Sequence, residues 1–158
     1  MPLTTVTIGA GMSKDSLIVR STLLVLLIVG LIGNGVELLL LGHDESLIQL
    51  LPIILIAIGV TVIVWRMLAM NSWSLRVLRA TMTAFIASGL LGIALHYRGN
   101  VEFQREMDPT IGGLSLFTKA MQAKAPPALA PAAMTWFGLL GLAGTYSAKN
   151  RSEKYETQ

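Results

Sequence analysis

Cysteine is absent from all 158 residues. That excludes disulfides, thiolate metal sites and a cysteine nucleophile. Charge is scarce as well: 13% of residues are Asp, Glu, Lys or Arg, about half the ~25% usual in soluble domains. Histidine occurs only as His43 and His96. There is no glycine-rich phosphate loop, no His-Glu-x-x-His, no Gly-x-Ser-x-Gly and no compact Ser/His/Asp set. Phosphate-loop, zinc-protease and serine-hydrolase chemistry therefore lack their residues. The two halves do not mirror one another, so the inverted repeat of many transporters is missing too.

What fills the chain is apolar. Hydrophobic residues make up 53%, more than a soluble domain of this length has interior to hide. They fall into four long runs, and a helix needs about 20 residues to cross a ~30 Å hydrocarbon core. The expected fold is all-α: a polytopic integral membrane protein of four transmembrane helices, with a short external interfacial segment between helices three and four. The spans are placed at 17–41, 47–65, 77–95 and 128–146. Residues 96–125 form the external segment, and 1–16 and 148–158 form tails. The second run is β-branched yet must be helical, because a lone strand in lipid leaves its backbone groups unpaired. Met1–Ser16 lacks the basic start of a signal peptide and is expected to be retained.

Charge orients the bundle. Lys14, Arg20, Arg66, Arg76, Arg79, Lys149, Arg151 and Lys154 fall on one side of a four-span topology. Arg98, Arg105, Lys119 and Lys124 fall on the other, offset by Asp44, Glu45, Glu102, Glu106 and Asp108. The positive-inside rule then puts both termini in the cytoplasm of an inner or plasma membrane. The net charge of +3 is thereby explained by the bilayer and calls for no nucleic acid.

The densest polar block is His96–Pro109. Within it, Asn100 is expected to cap a short helix ending at Met107, with Glu102 and Glu106 on one face. Those carboxylates could bind a divalent ion, although Arg98 and Arg105 stand at spacings that neutralise Glu102 in ordinary surface pairs. After Gly112-Gly113, the spacing of Leu114, Phe117 and Met121 suits a helix lying in the interface plane. Arg79 is placed to snorkel toward the surface.

Glu37 lies inside the boundary of the first span, where a carboxylate is expensive unless paired, protonated or wet. Its expected partner is Arg98, and its alternative role is a proton or cation site. His43 and His96 fall at the outer ends of the first and third spans. Together they suit axial ligation of haem, either alone suits a chlorophyll-type pigment, and with Asp44, Glu102 or Glu106 they suit a metal. Histidine is also an ordinary interfacial residue, and no cofactor is expected.

Small residues mark close packing, since helices in lipid associate by fit rather than by hydrophobic drive. Gly30, Asn34 and Glu37 share a face of the first span, and Ala84, Ser88 and Gly92 recur on the third. Gly138, Gly141 and Gly144 recur on the fourth. These rows serve the bundle itself or a partner subunit. The expected function is a non-catalytic accessory, structural or assembly subunit of a larger membrane complex. The alternatives are a haem- or pigment-binding redox subunit through His43 and His96, and a small transporter or sensor through Glu37.

Overall fold

A computed structural model describes residues 14–42, 46–123 and 130–146. Every regular element in it is helical: α1 (Lys14–Leu40), α2 (Leu47–Leu68), α3 (Ser72–Met107), α4 (Gly113–Met121) and α5 (Ala130–Tyr146). Ile18–Leu40, Leu47–Leu68 and Ser72–Met107 are long and apolar enough to cross a membrane. No more than 28% of the residues in their apolar windows are buried. Leu26, Val29, Ile54 and Leu90 all face outward, a surface suited to lipid and not to water.

Local chemistry sets the ends. Gly42 closes α1 in the left-handed region at φ 66, with its amide donating to the Leu39 carbonyl at 3.1 Å. Ser46 caps α2, its hydroxyl accepting from the Gln49 amide at 3.3 Å. Asn71 caps α3, its Oδ1 accepting from the Ser74 amide at 2.7 Å.

The four long helices form a ring in which α1 packs on α2 and α5, and α3 packs on α2 and α5. Neighbours run antiparallel. Gly59 of α2 meets Phe85 and Leu31, while Arg66 near the end of α2 reaches Ser74 near the start of α3. Gly89 meets Thr135, and Gly138 meets Met82 and Ile86. Leu31, Ile63, Leu78, Met82 and Phe85 form the centre of the core.

Several elements differ from the sequence reading. The α2–α3 connection shrinks to Ala69–Asn71, because Arg66 continues α2 and ties it to the turn. Arg79 caps α5, donating to the Thr145 carbonyl at 3.0 Å and its hydroxyl at 3.2 Å, where the helix dipole favours a cation. Asn100 starts no new helix. It lies within α3, which runs for 36 residues, about 54 Å at 1.5 Å per residue. Its side-chain amide donates to the Ala120 carbonyl of α4 at 3.0 Å, a tertiary bond and not a cap. The start of the expected fourth span, 128–129, and the tail 148–158 lie outside the described residues.

Candidate functional site

Two features stand at the end of the bundle where α1 finishes and α2 begins. The first is a hairpin. α3 continues twelve residues past Leu95, and α4 folds against this extension. Leu116 and Ala120 are buried, Tyr97 and Phe117 meet with ring centroids 6.0 Å apart, and Asn100 holds Ala120. In the turn, Thr110 donates from its amide and hydroxyl to Asp108 Oδ1, at 3.0 and 2.6 Å. These bonds hold the Asp108 carboxyl below its ordinary range. Their support is therefore present at neutral pH and lost in acid as the carboxyl protonates.

The second feature is a groove of ≈ 310 Å³ between α2 and α3. Ile48, Leu51 and Pro52 line it from α2, and Leu91 and Leu95 from α3. Its polar lining is Gln49, Ser88, His96 and Asn100. Because α2 and α3 are antiparallel, Gln49 is level with His96, and Pro52 lies deeper, level with Gly92. The amide oxygen of Gln49 is buried and has no hydrogen-bond partner among the described residues.

The expected pair of Glu37 and Arg98 is not formed. Arg98 Nε bonds Glu102 Oε1 at 2.8 Å, one helical turn along the same element. Glu37 sits on the exposed side of α1, whose packing partners are α2 and α5. No path leads from that face to α3. In a double-mutant cycle, Glu37→Gln and Arg98→Gln should act additively on thermal unfolding. A coupling clearly above measurement error would show that the two charges meet after all.

The small-residue rows divide. Gly30 faces Phe137, Gly92 faces Pro131, and Gly138 and Gly141 face Met82. Asn34 is buried beside Met134, its amide nitrogen 3.7 Å from the sulfur. Ala84 is exposed, Ser88 lines the groove, and Gly144 has open space around it. A further closely packed glycine, Gly89, is not among the rows read from the sequence. Any side chain at Gly89 would meet the Thr135 hydroxyl, the Thr135 nitrogen at 2.6 Å and the Pro131 carbonyl at 2.7 Å. Its signal was present in Ser88-Gly89-Leu90-Leu91-Gly92, a second glycine one turn from the first.

His96 lines the groove, and Glu102 and Glu106 are exposed on the α3 extension. His43 lies outside the described residues. Among those described, no three His, Asp or Glu side chains converge as a metal site would require. Comparisons with protein-family models, curated proteins and solved structures found no match.

At the opposite end of the bundle, Arg66 is 8% exposed. It donates to the Asn71 carbonyl at 3.1 Å and to the Ser74 hydroxyl at 3.2 Å. Arg20 and Arg79 lie near enough for their charges to be felt there. This end is the basic one.

Proposed function

We propose that the chain is a four-span membrane protein acting as a non-catalytic accessory or assembly subunit of a larger membrane complex. In this reading α5 is the fourth span. It is 17 residues long, about 25 Å at 1.5 Å per residue, and lies antiparallel along the apolar part of α3 from Arg79 to Gly92. The basic end, with Arg20, Arg66, Arg76 and Arg79, faces the cytoplasm together with both termini, and the α3–α4 hairpin lies outside.

The observation that carries the accessory role is the hairpin's surface. Beyond the apolar part of α3, Phe103 is 56% exposed, Met107 72% and Leu114 79%. Large apolar side chains raised above a bilayer on an ordered scaffold suit burial against another protein. In native membranes solubilised gently, the chain should migrate on blue-native gels well above its own 17.0 kDa. Phe103→Ser with Met107→Ser should collapse that species to the free subunit while leaving the helical spectrum unchanged. A species of unaltered size would remove the hairpin from the interface.

A further inference from the structure

The groove between α2 and α3 is open to the surface at the level where α3 passes from apolar to polar. Leu51, Pro52 and Leu91 line its deeper part with Ser88, while Gln49, His96 and Asn100 gather at the hairpin end beside Ile48 and Leu95. None of its described lining residues is Asp, Glu, Lys or Arg. The nearby cation, Arg98, is occupied by Glu102. Among the described lining residues a phosphate or an ammonium would find no fixed countercharge, and burying either without one is expensive. The buried Gln49 oxygen lacks a donor, and such an acceptor is a standing penalty until one is supplied. The volume of ≈ 310 Å³ sits at the low end of the ~300–1,000 Å³ range of ligand sites, so the occupant is narrow.

We propose that this groove binds a single-chain membrane amphiphile with an uncharged, hydroxyl-bearing head, the hydroxyl donating to Gln49 and the chain lying along Leu51, Pro52 and Leu91. The inference rests on the membrane placement of α2 and α3 and is independent of the accessory role. Loss of the large complex on blue-native gels leaves it untouched.

Three oleoyl probes of different head charge separate the outcomes: monoolein, oleate and lysophosphatidylcholine. They are added to the purified full chain in detergent and followed by native mass spectrometry. Monoolein should be retained at one per chain and at least tenfold more tightly than the other two. Gly99→Leu should abolish its retention, because Gly99 lines the groove and has open space where its side chain would grow. Gln49→Leu keeps the groove's shape but removes the acceptor, and should weaken monoolein about tenfold, as for one lost hydrogen bond. Tighter binding of oleate or lysophosphatidylcholine would overturn the assignment of an uncharged head. Monoolein retention unchanged in both variants would overturn the site itself. Circular dichroism of each variant confirms that it is folded.

Discussion

Gly138→Leu is expected to separate α5 from α3 and abolish the cooperative unfolding transition in detergent while leaving most helical signal in place. The reason is what surrounds the glycine. A first side-chain carbon there would stand 2.5 Å from the Met82 carbonyl oxygen, 2.6 Å from the Ile86 side chain and 3.0 Å from the Ile86 nitrogen. Two of those atoms are backbone and cannot rotate away. Overpacking typically destabilises by about 1–3 kcal/mol, and a leucine pressed on backbone belongs at or above the top of that range. Gly141→Leu should be milder, since its nearest neighbour is the flexible side chain of Met82, which adapts readily. Gly144→Leu should change nothing, because its surroundings are open. Equal midpoints for Gly138→Leu and Gly144→Leu would mean that the close α3–α5 contact is absent.

That contrast shows how far the sequence could be read. The apolar runs and the short connections located the long helices, because lipid leaves a chain few other choices. The glycine row of the last helix was visible as spacing, but a repeat of three cannot say where its neighbour stops. Gly138 and Gly141 lie against α3, and Gly144 does not. On α3 the spacing marks Ala84, Ser88 and Gly92, while the side facing α5 carries Met82, Ile86, Gly89 and Gly92. The partner's direction decides this, and it is not written locally. Asn100 is a similar case. Asparagine favours helix starts, yet here it sits mid-helix and bonds a carbonyl twenty residues away, on Ala120. For Glu37 the face of the helix was not legible, and it is the exposed one. The groove was invisible because it is made by two helices at once, with Gln49 and His96 47 positions apart in sequence.

Ser74→Ala is the second substitution expected to act strongly. Ser74 is fully buried. Its hydroxyl donates to the Ala69 carbonyl at 2.6 Å and accepts from Arg66 at 3.2 Å. Alanine leaves the guanidinium with the Asn71 carbonyl as its remaining acceptor and the Ala69 carbonyl with the Asn71 amide, at 2.9 Å, as its donor. A hydrogen bond to a charged group contributes about 1.5–3 kcal/mol and a neutral one about 1, so the α2–α3 turn should lose about 3 kcal/mol. Arg66→Met should be gentler, because it takes the charge away along with its bonds. Once Arg66 is gone, Ser74→Ala should lose much of its effect. Unfolding midpoints of the two single variants and the double variant measure this directly. Strict additivity would mean that the turn is held without their contact.

The membrane placement governs every other inference, and the missing cysteines make it directly testable. Single cysteines at Ser72, Ser115 and Ser152 report the α2–α3 turn, the hairpin helix α4 and the C-terminal tail, with no background from the native chain. Intact cells are treated with a membrane-impermeant maleimide, then permeabilised and treated again. Four crossings predict that Ser115→Cys reacts from outside, and that Ser72→Cys and Ser152→Cys react only after permeabilisation. Labelling of Ser115→Cys and Ser152→Cys from the same side would contradict the account, because α5 would then not cross the bilayer.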